Sequence, residues 1–265
     1  MQRFGGNVWE LTDNIRQVDI SEREALAELR HGDVEVAVDW LARNGRIVTG
    51  GDRAEVIGAV VDGWLADVDR GMDTVMLAWR RTSVDALNAL GRQSFDDRGW
   101  LAGDEITAPG GTRYRAGDRI VTLAPFAGRI VTSETGVVEG VHPVDGSITV
   151  RFDDGRCTRL PPHATAEDRL AHGYAVTVHR SQGATFDTTH DVEGGGGREL
   201  AYVGLSRARH RSTIYVEADD LDQAVDDLIR AWSIERRQEW VIDRTTPVRE
   251  APVLDRSDDL GIDLW

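Results

Sequence analysis

The chain has 265 residues, 40% of them hydrophobic, and a formal net charge of −15, the profile of a globular chain with room for one or two domains and a substantial core. No apolar run approaches a membrane span, the opening MQRFGGNVWELTDN has no apolar signal core, and a lone Cys157 excludes an internal disulfide, so a cytoplasmic chain is expected. The chain contains no lysine, which excludes a G-x-x-x-x-G-K-[ST] phosphate loop anywhere in it.

The acidic balance argues against a nucleic-acid binder at first sight. Much of the acid is regional, however, in Glu217–Asp227 and Asp255–Asp263. The expectation is weak non-specific affinity with strong salt sensitivity, compatible with a local basic groove.

In chain order, Ser21 with Glu24 reads as a capping box, and Ala25, Leu26 and Leu29 follow at helical spacing until Gly32. Asp33 caps a second helix along Val34, Ala37, Val38 and Leu41, with Gly45 as its stop. A short strand over Arg46–Thr49 precedes a third helix over Ala54–Val68. Thr74–Ala78 is wholly apolar apart from its first residue, as in a buried parallel strand. It leads to Trp79, Arg80 and Arg81, then to a helix from Ser83 to about Gln93. Trp79 suits either the core or stacking on a base, and Arg80 and Arg81 could pair with Asp85.

From about Arg98 the texture changes to strands broken by Gly and Pro, at Asp104–Thr107, Arg119–Leu123, Gly136–His142, Ser147–Phe152 and Cys157–Leu160. Asp153-Asp154-Gly155 is a hairpin signal, and Pro161-Pro162 closes the run. Five short strands without a helix read as a small SH3-like β-barrel, whose role could be to guide DNA or to dock a partner.

A strand over Tyr174–Val178 then runs into His179, Arg180, Ser181, Gln182 and Gly183, and after a spacer containing Gly194–Gly197 a helix over Glu199–Leu205 delivers Ser206, Arg207 and Arg209. Open α/β sheets place ligands outside the carboxyl ends of their strands, so the two loops suggest one shared anion-binding site. Thr177 and Ser181 supply hydroxyls, Gln182 an amide, His179 and Arg180 donors, and Gly183 a close backbone approach. That set suits phosphate and sugar rather than a metal, and Arg207 offers a fork for a phosphoryl group. Each has a plainer reading when taken singly, as a helix-end cation or a turn. His163, His172 and His190 fit no motif and read as surface or turn residues. Ser212–Val216 reads as the last strand and Asp219 as the cap of a helix bearing Leu221, Val225, Leu228, Ile229 and Trp232, while Gln238–Trp265 reads as a linker or loosely docked tail.

Taken together, TVHRSQGATFD and AYVGLSRAR resemble the fifth and sixth motifs of superfamily 1 helicases, in the branch of RecD-like enzymes and TraI/TrwC-type conjugative relaxases. Leu11–Gln17 resembles the fourth motif, and Val75–Asn88 resembles the strand–loop–helix that follows it. The resemblance implies a UvrD-like C-terminal helicase domain. It would be an α/β, RecA-like parallel sheet of P-loop-NTPase type without its own P-loop, formed by residues 1–97 and 168–217, with the barrel inserted at 98–167 and a helix and acidic tail at 218–265. It further implies that Arg207 and Arg16 reach the γ-phosphate, with Gln17 and Gly183 also at the nucleotide. Thr177, His179, Arg180, Ser181, Trp79 and Arg80 would meet single-stranded DNA. Family members often carry Lys where Arg180 stands, and some carry an aromatic where Ile15 stands.

ATP and Mg²⁺ would be held mainly by a P-loop-bearing RecA-like domain, upstream or in trans. The expectation is therefore half of a DNA helicase motor, unable to hydrolyse ATP alone, whether as a fragment, a truncated product or a split subunit. The alternative is a non-catalytic module that keeps the fold to dock single-stranded DNA or protein.

Overall fold

The computed structural model describes residues 16–126, 130–166 and 169–234. Leu11–Ile15 of the fourth-motif segment and the expected tail at Gln238–Trp265 lie outside them.

Five parallel strands make the main sheet: β1 (Ile47–Gly50), β2 (Thr74–Ala78), β10 (Ala175–Thr177), β11 (Phe186–Val192) and β12 (Ala208–Glu217), in the order β1-β12-β11-β2-β10. Helices α3 (Arg53–Asp69) and α4 (Arg81–Asp97) cover one face, where Val56, Val60, Trp64 and Leu87 pack with Met76, Ala78 and Tyr174. Helices α1 (Ile20–His31), α2 (Val34–Arg43), α5 (Arg198–Leu205) and α6 (Leu221–Ser233) cover the other, around Leu29, Val38, Leu205, Ile214 and Trp232. Apolar stripes at helical spacing on both sides of a parallel sheet are the pattern this layering requires.

Several boundaries move for identifiable reasons. Asp19, not Ser21, caps α1, because its carboxylate accepts from the Ser21 and Glu22 amides at 2.9 and 3.4 Å. The fourth helix starts at Arg81, before Ser83, and Asp220 rather than Asp219 caps α6. The spacer after Gly183 contains β11, the central strand of the sheet. Its sequence FDTTHDV hides it, since Thr188, Thr189, His190 and Asp191 are polar yet all buried.

Between α4 and β10 the chain builds a second, antiparallel sheet. Strands β5 (Arg119–Thr122), β6 (Thr135–His142), β7 (Ser147–Phe152), β8 (Cys157–Leu160) and β9 (Leu170–His172) pair in the order β8-β7-β6-β5-β9. A separate ribbon of β3 (Ala102–Thr107) and β4 (Arg113–Ala116) shares its core, with Ile106 and Tyr114 against Ile120, Val138 and Ile148. Among the described residues no pairing joins β8 to β9, so hydrogen bonding leaves this sheet open rather than closing it as a barrel.

A buried ion cluster ties the antiparallel sheet to the α/β layers. Asp118, fully buried, accepts from Arg92 Nε at 2.9 Å, Tyr174 Oη at 2.7 Å and the Arg115 amide at 2.7 Å. Arg92, on α4, also reaches Glu105 at 3.0 Å.

Candidate nucleotide and nucleic-acid site

The expected site residues fall at two opposite ends of the parallel sheet. Thr177 ends β10, level with Ala78 and hence with Val192 of β11, at the carboxyl edge. Arg207 stands just before β12, whose first residue pairs with Phe186, at the amino edge. The six steps from Phe186 to Val192 span roughly 20 Å at about 3.3 Å per residue. The single shared site expected from sequence is thus not made. Two parallel strands joined by residues 178–185 force that segment to run back from one edge to the other, which spacing in the sequence does not reveal.

At the amino edge, Arg207 Nε donates to Val203 O at 2.9 Å and Nη2 to Ser206 Oγ at 3.2 Å, while Arg16 Nη1 donates to Ser206 O at 2.8 Å. Ser206 therefore touches both guanidinium groups. Burial and the neighbouring charge of Arg16 push the Arg207 pKa below its ordinary value. Among the described residues no carboxylate pairs with Arg207. Two converging guanidiniums, one of them lacking a carboxylate, fit an anionic polyphosphate. Gln17 is buried, its Nε2 donating to Ala208 O at 3.0 Å, and its Oε1 has no hydrogen-bond partner among the described residues. Gly183 lies in the returning segment, exposed, with φ 89°. No group of three or more metal-ligating side chains occurs among the described residues.

At the carboxyl edge, Trp79 is half-buried and packs edge-on against exposed His179, with ring centroids 5.2 Å apart. Thr177 Oγ1 accepts from the Arg180 amide at 3.3 Å. Ser181 is buried, and its hydroxyl donates to Val178 O at 2.8 Å, so in this arrangement it shapes the turn and does not face a ligand. Arg180 is turned toward the antiparallel sheet, donating Nη1 to Thr122 O at 3.0 Å. Arg80 caps α4 with its side chain exposed, and neither Arg80 nor Arg81 pairs with Asp85.

Three groups escaped the reading of the sequence. His190, taken for a surface or turn residue, is buried in β11 with Nδ1 2.7 Å from Tyr215 Oη and Nε2 3.0 Å from Asp67 Oδ2. Asp67 also takes Arg211 Nη2 at 2.9 Å on both oxygens. On the opposite face of the same strand, Asp191 is buried beside Gly204 of α5, with no counter-charge among the described residues. The only signal for either was the polar alternation of FDTTHDV.

No family model matches the chain. It is 33% identical over 214 residues to the conjugal transfer protein TraA of Agrobacterium fabrum, covering 78% of this chain and 19% of that protein. It is 30% identical over 213 residues to TraA of Rhizobium radiobacter, with the same coverage of 78% and 19%. The chain thus spans about a fifth, 19%, of the length of these relatives. Among solved structures, the Pif1 helicase from Bacteroides in complex with ADP-AlF3 and single-stranded DNA superimposes with a TM-score of 0.53 at 19% identity, over 82% of this chain and 54% of that one. The structure of two coordinating Pif1 helicases at forked DNA gives a TM-score of 0.50 at 20% identity, over 82% and 52%. The chain therefore shares the fold of the matching part of these Pif1 helicases and is homologous to one segment of the TraA conjugal transfer proteins.

Proposed function

We propose that the chain is the second motor domain of an ATP-dependent superfamily 1 DNA helicase or translocase. The observation that carries this reading is the meeting of Arg16 and Arg207 on Ser206, with no carboxylate on Arg207. Held at the amino edge of the sheet, the two guanidiniums are placed to stabilise charge that spreads over a γ-phosphoryl group in transfer. Gln17 and Gly183 would border the same nucleotide. The P-loop, the Mg²⁺ ligands and the catalytic base belong to a partner RecA-like domain, because a chain without lysine lacks the residue that reaches the β/γ-phosphates. At the other edge, Trp79, Arg80, Thr177, His179 and Arg180 would meet a single DNA strand. Residues 178–185 connect the two edges and offer a mechanical link between nucleotide state and strand grip.

The test is ATP hydrolysis with and without single-stranded DNA. The chain alone is expected to show no turnover. Joined to a P-loop-bearing RecA-like domain, it should hydrolyse ATP, and Arg207→Ala should cut that rate by ~10³-fold or more. Turnover by the isolated chain, abolished in Arg207→Ala, would sink the half-motor reading. Strand binding without any nucleotide dependence in the joined protein would favour the docking module.

A further inference from the structure

The pair of guanidiniums at the amino edge hangs on the last turn of α5. Arg207 donates its backbone amide to Gly204 O at 3.0 Å and its Nε to Val203 O at 2.9 Å. Ser206, whose carbonyl takes Arg16 Nη1, donates its own amide to Tyr202 O at 2.9 Å. The helix has only eight residues, enters from Gly194–Gly197 without a side-chain cap, and is seated by Ala201 and Leu205 against Ile214. On the face of β11 turned toward it stand two buried polar groups. Thr189 Oγ1 has no hydrogen-bond partner among the described residues. Asp191, only 4% exposed, has neither a hydrogen bond nor a counter-charge among them. Its Oδ2 lies against Gly204, where an added Cβ would overlap it. Around Asp191, β2 contributes Leu77, β12 Ile214 and α5 Leu200, Ala201 and Gly204, all uncharged. The titratable neighbour is Glu193, whose carboxylate accepts from the Gly195 amide at 2.6 Å and from Trp232 Nε1 of α6 at 2.9 Å.

The carbonyls of Tyr202, Val203 and Gly204 form the negative end of the α5 dipole. An uncharged carboxyl packs against that end without penalty. A carboxylate there is repelled by it and also lacks the hydrogen bonds that a buried charge requires. We propose that Asp191 is a positioning residue for Arg207: uncharged, it lets the last turn of α5 seat on β11, and ionised, it lifts that turn and withdraws the Arg207 guanidinium. Burial, with Glu193 nearby, favours the acid form well above the ordinary carboxylate range. The seated arrangement is therefore kept at low pH and lost as pH rises through the folded value. A narrow cleft bordered by Gly196, Gly197 and Leu200 reaches Asp191 and gives its proton an exit. The consequence for ATP turnover rests on Arg207 reaching the γ-phosphate, as proposed above, whereas the movement itself does not.

The experiment is a pH titration of the full chain carrying isotope-labelled arginine, followed by NMR at the Arg207 Nε–H cross-peak, which is identified by its loss in Arg207→Lys. It needs no nucleotide and no partner domain, so its outcome is separate from that of the hydrolysis test. The cross-peak is expected to move along a one-proton curve with its midpoint above the ordinary carboxylate range. In Asp191→Asn it should hold its low-pH position throughout, and in Glu193→Gln the curve should remain with a lower midpoint. Gly204→Ala tests the contact without titration. It should displace the cross-peak at every pH, and Asp191→Ala in the same chain should bring it back. A parent cross-peak that stays still over the pH range in which the parent's Tm falls would overturn the proposal, whether or not the variants fold. So would a curve unchanged in Asp191→Asn, or a Gly204→Ala displacement that Asp191→Ala leaves in place.

Discussion

Asp191 is a carboxyl group buried in the middle of a sheet, with no hydrogen bond or ion pair reaching it among the described residues. Burial raises its pKa well above the ordinary carboxylate value, and nearby Glu193 adds to the effect. The sign follows directly. A carboxyl whose folded pKa is raised contributes stability that is fully present at low pH and is lost as pH rises through the folded value. Between the unfolded value of about 3.9 and the raised folded value the loss approaches about 1.4 kcal/mol per pH unit, and above the folded value it levels off. Asp191→Asn keeps the shape and removes the charge, so it should melt higher than the parent at pH 8 and flatten the dependence of Tm on pH. An Asn variant that melts lower at pH 8 would mean that the carboxylate is compensated in the folded chain. Gly204 explains why the site tolerates no larger neighbour, because a Cβ there would run into Asp191 Oδ2.

At the scale of elements, β11 alternates its side chains, so His190 faces α3 and Asp191 faces α5. Each helix meets it with a glycine, Gly63 on α3 and Gly204 on α5, where an added Cβ would overlap Tyr215 Oη or Asp191. On the α3 side both ring nitrogens of His190 are paired. Burial lowers the His190 pKa despite Asp67, so the ring is neutral, with Nε2–H donating to Asp67 and Nδ1 accepting from Tyr215. Burial opposes ionisation of Asp67 as well, but hydrogen bonds from His190 and Arg211 outweigh it and hold its pKa below the usual range. Its contribution is present at neutral pH and is lost as pH falls below about 4. Asp67→Asn should cost roughly 1–3 kcal/mol at pH 7, by leaving Arg211 without its carboxylate. The urea midpoint measures this, and the gap between variant and parent should narrow toward pH 3. A constant gap would place the cost in packing instead.

For the whole molecule, the question is whether the antiparallel sheet moves with the α/β layers. Asp118 joins them through Arg92 and Tyr174 from the α/β side and the Arg115 amide from the other. Removing one partner of a buried ion pair costs about 3–5 kcal/mol. Asp118→Ala is therefore expected to release residues 102–172 before the parallel sheet. Hydrogen exchange should show faster opening in β3–β9 with β2 and β11 still protected, and uniform loss of protection would make Asp118 a general core residue. The described residues contain no helix long and apolar enough to cross a membrane.

The sequence by itself determined the α/β class, the helices that flank the first parallel strands, the start of the antiparallel segment and the absence of a phosphate loop. These depend on local periodicity, on turn residues and on a count of lysines, all of which act over a few residues. The tertiary structure alone decided that FDTTHDV is the central strand, since its polar groups are satisfied or tolerated by α3, α5, β2 and β12. It alone separated Thr177 from Arg207 by the length of a strand, and it alone turned Arg180 onto Thr122 of the antiparallel sheet. Each of these depends on where parallel strands and a returning loop place groups far apart in the chain, and no spacing along one segment encodes that.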